Sequence, residues 1–263
     1  MNRKRVIGTA VLSAALVFAG SHFGRLGQAE GAGPAGTLLS DGDFEQDATG
    51  KQLRAQEHPQ GWYESRDDGP QGRKLLTLSK KVVAGNSSKK ARIKGDPKLN
   101  TYLSQAFSQP QNGRFSLKWD ILVKEIAATP NRSAFQLIGD DSVKGKGTNA
   151  TASERFAFLG FENAAQKGKI NLFAFEGGGA DPLAKRTPIA SNLDLGRWYT
   201  VRVDLDPAAQ SYTVSVSGAS SAQVAVHAFQ AAGKAAPKSL THVSFASWND
   251  GPGTFYIDNV GQP

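Results

Sequence analysis

Two acids near the chain ends pose the first chemical question. Glu45 follows Phe44 in "LLSDGDFEQDATG", and Asp258 interrupts the apolar run of "GTFYIDNVGQP". Phe255, Tyr256, Ile257 and Val260 are strong strand formers, so Asp258 is expected on a strand, where a buried carboxylate needs a partner. A turn cap or an ion pair with arginine is the plainest partner. A second group is aromatic. Trp62, Tyr63 and Trp248 lie beside Gly- and Asp-rich stretches, "QGWYESRDDG" and "SWNDGPG". A ring so placed can stack on a pyranose face while amides and charged groups bind the hydroxyls, or it can simply pack a sheet edge. Trp119 and Trp198 sit mid-pattern and are expected in the core. A third group is Gln136, Arg155, Asn171 and His242. Together such residues could neutralise a uronate carboxylate and remove its α-proton, the work of a polysaccharide lyase; singly, each is an ordinary polar residue on a solvated face.

Other chemistries are poorly served. Asp120 and Glu125 in "WDILVKE" are five apart, so on a strand they point to opposite faces and make a poor glycosidase pair. "EGGGADP" and "GDDSVKGKGTN" lack the pattern of a phosphate loop, and no Gly-x-Ser-x-Gly elbow occurs. Four scattered His do not suggest a histidine metal cluster, and the absence of Cys excludes disulfides, zinc thiolates and thiol nucleophiles.

The elements that must position these groups are short strands. "GRFSLKWDILVKE" puts Phe115, Leu117, Trp119, Ile121 and Val123 on one face and Ser116, Lys118 and Asp120 on the other. Such period-two alternation marks antiparallel strands with one polar face. In "GRWYTVRVDLDPAAQSYTVSVSG", Tyr199, Val201, Val203 and Leu205 run out, Pro207 presets a turn, and Tyr212, Val214 and Val216 return. The best helical stretch, "HAFQAAGKAA", is short and broken by Gly233. About twelve strands with no long linker predict an all-β fold, a two-sheet antiparallel β-sandwich over residues 38–263. Before it, Arg3, Lys4 and Arg5 precede an apolar stretch of about fifteen residues, short for a membrane span and suited to a signal peptide over 1–29, with a flexible linker at 30–37. The chain carries 31 Lys+Arg and 23 Asp+Glu; loss of Arg3, Lys4, Arg5 and Arg25 with that segment would leave a surplus of only four. The basic residues come as doublets rather than a stripe, which argues against nucleic-acid binding.

The hairpin and the closing "FYIDNV" resemble the concanavalin A-like lectin/glucanase superfamily in its laminin G-like form, and "DGDFEQDATGKQL…PQGWY" resembles the opening of exported bacterial carbohydrate-binding jelly rolls. The resemblance implies neighbouring first and last strands whose acids, here Glu45 and Asp258 with Asp43, ligate a structural calcium. It implies a non-catalytic, lectin-like role on a polysaccharide or cell-wall polymer, with Trp62, Tyr63 and Trp248 as ligand contacts. An acidic-glycan lyase and an adhesion domain without a sugar ligand remain the alternatives, because the architecture hosts all three. The expected protein is a monomer, secreted, periplasmic or at the cell surface.

Overall fold

Alternation decides which side chains meet across the sandwich. In β5 (Phe115–Ile126), Leu117, Trp119, Ile121 and Val123 are buried, while Ser116, Lys118 and Asp120 face the other way. The computed structural model describes residues 37–46, 61–65, 75–143, 147–179, 181, 183–219 and 223–263; the expected export segment lies outside them. Residues 36–263 cluster into one compact unit. One seven-stranded sheet has the order β1 (Tyr63–Glu64), β4 (Thr101–Gln111), β13 (Leu240–Ser247), β6 (Ser133–Gly139), β7 (Arg155–Asn163), β8 (Lys169–Phe175) and β9 (Arg186–Asp194). The second runs β12 (Val224–His227), β11 (Ser211–Val216), β10 (Trp198–Asp206), β5, β14 (Gly253–Gly261), β3 (Lys90–Ile93) and β2 (Leu76–Ser79). Every pairing between these strands is antiparallel.

The predicted hairpin forms, with Val203 opposite Val214 and Leu205 opposite Tyr212. The 227–236 stretch carries no helix, and the one helical turn among the described residues is the 3-10 turn Ala152–Glu154. Among the described residues, no helix is long and apolar enough to cross a membrane.

The core lies between the inner faces. Phe245 of the first sheet meets Trp119 of the second edge to face, with centroids 5.5 Å apart, and also packs against Trp62 at 6.1 Å. The Trp119 indole donates to Gln136 Oε1 at 3.0 Å, and Gln136 Nε2 donates to the Ala134 carbonyl. The terminal segments are neighbours, but not as paired strands. Residues 37–46 run in bends and turns; Val260 N donates to Gly42 O at 2.9 Å, Ser108 N donates to Leu38 O, and Phe44 is driven into the core against Trp62. The strand expected at "DFEQ" is therefore a looped strap, held by side-chain burial rather than by a hydrogen-bond ladder.

Candidate functional site

The first sheet has a second apolar layer on its outer face. Tyr102, Phe135, Leu137, Phe158, Phe175 and Ala246 alternate with inward-facing core residues and are buried beneath Phe229, Leu183 and Trp248 from the loops. Trp248 lies 4.1 Å from Phe135 between centroids, and the Arg155 guanidinium sits 4.8 Å from the Trp248 ring and 4.9 Å from Phe158. Cation–π contacts of this kind gain strength when the cation is desolvated, and Arg155 is 7% exposed. Its Nε and Nη2 also donate to the Asn149 and Ala150 carbonyls. Above this layer opens a depression of about 280 Å³, floored by Tyr102, Arg155 and Trp248 and rimmed by Asn100, Asn249 and Asp250. Asn249 N donates to Asn100 Oδ1, and Asp250 pairs with Arg132 at 3.0 Å, so the rim is pre-ordered.

Beside the aromatic layer the same face turns polar. Ser65, Ser104 and Ser244 hydroxyls are joined in series at 2.8 Å, and Asn149 Nδ2 donates to Ser244 Oγ at 2.9 Å. Tyr63 OH bonds Thr148 Oγ1 at 2.8 Å, and burial pushes its phenol up. Burial likewise pushes up the Asp140 and Asp141 carboxyls, with Glu154 adding to the effect. His242 is half-buried beside Thr241, and burial takes its imidazole down to about 4, partly opposed by Glu154.

That shift has a measurable sign. The folded-state pKa lies below the ordinary 6.5, so between pH 6.5 and about 4 the unfolded chain binds a proton here that the folded chain refuses. This contribution is fully present above pH 6.5 and is lost as pH falls. Raised carboxyls such as Asp140 act in the opposite sense in the same window. The His242→Gln difference isolates the histidine: wild type should lose about 1–2 kcal/mol relative to the variant from pH 7 to 4, allowing for partial exposure. Denaturant melts at stepped pH with parallel curves for the two proteins would count against it.

The structure redistributes the residues singled out from sequence. Tyr63, Arg155, His242 and Trp248 share the outer face of the first sheet, and Asn171 stands nearer its β9 edge, where its Oδ1 accepts Asn192 N. Gln136 does not join them: the pleat turns it inward, where it is 2% exposed and satisfied by Trp119. Trp62 is 4% exposed, with its indole donating to the Asp41 carbonyl, so it offers no ring face to a ligand. Trp198 is only half-buried; its Nε1 donates to Val83 O and fastens the 79–90 segment over the second sheet. Trp119 is in the core as expected. Asn149, Asn100 and Asn249 were missed, since nothing in the local sequence separates them from loop residues.

The expected metal ligands fare differently. Asp258 is fully buried on the outer face of β14, alternating with inward Phe255 and Ile257. Its oxygens accept Asn86 Nδ2 at 2.8 Å, Ser88 Oγ at 2.6 Å and Asn259 N at 2.9 Å. Burial pushes its carboxyl up, while these donors and Lys90 pull it down. Glu45 Oε1 accepts Lys89 N at 2.6 Å. Asp43 accepts Glu45 N and lines a different depression of about 760 Å³ with Asp120 and Asn259. Calcium requires converging oxygens, and what converges here on the two carboxylates is hydrogen-bond donors. Among the described residues, no three His, Cys, Asp or Glu are grouped to hold a metal. The residues do not fit the ion.

Two stacked antiparallel sheets of seven strands, with a loop-covered outer face, define a two-layer antiparallel β-sandwich. Solved structures similar in chain trace include a sialidase (13% identity over 84% of this chain, TM-score 0.48), of which this chain spans only 18%. The glycoside hydrolase family 131 catalytic domain from Coprinopsis cinerea matches at 16% identity over 86% of this chain and 94% of that one, TM-score 0.49. The alginate lyase from Klebsiella pneumoniae matches at 9% identity over 72% and 84%, TM-score 0.49. No protein-family model matches the chain, and no curated protein matches it.

Proposed function

We propose that this protein is an exported, lectin-like jelly roll that binds a polysaccharide or cell-wall polymer through the outer face of its first sheet without transforming it. The observation that supports this reading is the convergence of the Arg155 guanidinium, the Trp248 indole and the Asn100, Asn249 and Asp250 rim on one depression. Its volume, about 280 Å³, sits near the roughly 300 Å³ lower end of ligand pockets, which suits one sugar unit or a chain end rather than a long segment. The stacked Arg155–Trp248 pair offers an amphipathic floor, and the rim amides and carboxylate match hydroxyls. Arg155 further favours a glycan bearing carboxylates, a point in common with the lyase reading. That second reading has one observation behind it, the neutral His242 on the same face. It lacks its amide, because Gln136 is committed to the core.

The reading predicts that Asn249→Ala and Asp250→Ala, both at exposed rim positions, weaken glycan binding about tenfold each while leaving the fold intact, the loss expected for one polar contact. A glycan array selects the ligand and titration calorimetry measures the change. Unaltered affinity in both variants would move the site elsewhere. Absorbance from unsaturated uronate products on incubation with acidic glycans would replace the binding role with a lyase.

A further inference from the structure

Beside Asp258 lies a charge that neither a turn cap nor a metal accounts for. Lys90 is 0% exposed, among the largest fully buried side chains of the protein. Its Nζ donates to the Lys81 carbonyl at 3.1 Å and, in a very short contact, to the Ser88 carbonyl. An ammonium carries three donors and accepts nothing, so it seeks such oxygens as a small cation does. Ser88 connects this ammonium to the acid, because its hydroxyl donates to Asp258 Oδ2 while its carbonyl takes Lys90.

Register explains the placement. β14 pairs with β3 so that Tyr256 faces Arg92 and Ile257 faces Ala91, and one further step brings Lys90 alongside Asp258. On the other side of β14, Asp258 stands opposite Asp120 of β5. Like charges directly opposite on one sheet face destabilise the pairing. Asp120 is met by neutral donors, Thr200 Oγ1 at 2.5 Å and Asn259 Nδ2 at 2.8 Å. Lys90 supplies positive charge within electrostatic reach of both Asp258 and Glu45. Glu45 comes in from the amino-terminal strap, clamped by Lys89, whose backbone N meets the Glu45 carboxylate and whose Nζ meets its carbonyl, each at 2.6 Å. The Asn86 amide does not turn to offer its oxygen to a metal, since Oδ1 already accepts Ser88 N while Nδ2 donates to Asp258.

We propose that the Lys90 ammonium is the resident cation of this terminal junction, a covalently attached charge standing where the resemblance would place a divalent ion, so that the fold holds independently of calcium. Ser88 is its coupling to Asp258, and the 79–90 segment, pinned by Trp198, is the lid that keeps it dry.

Scanning calorimetry on the full chain tests this. Wild type in excess EDTA and in millimolar calcium chloride should melt within about 1 °C of each other, since only a ligand bound to the native state shifts the transition. Lys90→Met keeps the length of the chain but leaves Asp258 without its cation, and should melt about 5–10 °C lower in either solution. Lys90→Arg keeps the charge and should melt above Lys90→Met. The proposal is overturned if EDTA lowers the wild-type melting temperature by several degrees, or if Lys90→Met melts with wild type. If Lys90→Met gives no folded protein, Lys90→Arg decides: a folded variant indifferent to calcium supports the proposal, and one that folds only with calcium overturns it.

Discussion

Trp119→Ala should cost the protein about 4–8 kcal/mol of stability. The indole is 1% exposed, meets Phe245 across the sandwich and donates to Gln136 Oε1. Truncating a buried tryptophan to alanine costs about 3–5 kcal/mol through lost transfer energy and the cavity left behind. Stranding the buried Gln136 oxygen adds roughly 1–3 kcal/mol. A domain of ordinary stability has about 5–15 kcal/mol to lose, so the sum is a large share of it. Trp119→Phe separates the two effects: it retains most of the apolar contact and should lose about 1–3 kcal/mol. Urea unfolding followed by the remaining tryptophans gives both numbers. If Trp119→Ala loses less than about 2 kcal/mol, the inner layer is not organised around this residue as the structure shows.

Gly139→Ala should damage stability and ligand binding together, which few substitutions here would do. Gly139 lies on β6 between His242 of β13 and Arg155 of β7. A Cβ there would fall 1.9 Å from the Glu154 carbonyl oxygen and 2.5 Å from Asn149 Oδ1. The nearer obstacle is backbone, so relief requires the 149–155 segment to move, at about 1–3 kcal/mol or more for overpacking. That segment carries Arg155 and the carbonyls that hold its guanidinium. Under the proposed role, displacing it should lower glycan affinity by at least about tenfold, equivalent to 1.4 kcal/mol. Gly113→Ala, where the added methyl meets nothing within 4 Å, is the control and should fall within about ±0.5 kcal/mol of wild type. Equal affinity for Gly139→Ala and Gly113→Ala would show that the Arg155 depression does not bind the glycan.

The two clusters with buried charge behave differently for a physical reason. Arg155 is held by carbonyls and ring faces with a pocket open above it, so its charge remains usable by a ligand. Lys90 is enclosed by the 79–90 segment and its electrostatic neighbours are the protein's own acids. The first arrangement suits recognition and the second suits cohesion.

Much of the architecture was legible from residue order. Period-two alternation in 115–123 and 199–216 named the inward residues and the hairpin, because side chains on a pleated strand can only alternate. The structure puts Asp258 on the face opposite Phe255 and Ile257, in keeping with the same alternation. What alternation cannot say is which strands become neighbours, or what covers an outer face. Gln136 and His242 both read as polar residues on strands, yet the pleat of β6 sent one into the core and that of β13 sent the other out. Trp62 looked like a loop aromatic until the amino-terminal strap folded Phe44 beneath it. "SKK" at 88–90 read only as one of the basic doublets, and it took the β3–β14 register with the covering 79–90 segment to make Lys90 a buried cation beside Asp258. Local periodicity is a property of neighbouring residues and travels with the sequence; burial, charge pairing and the make-up of a site depend on contacts between residues far apart in the chain, such as 90 with 258, and exist only once the sheets have closed.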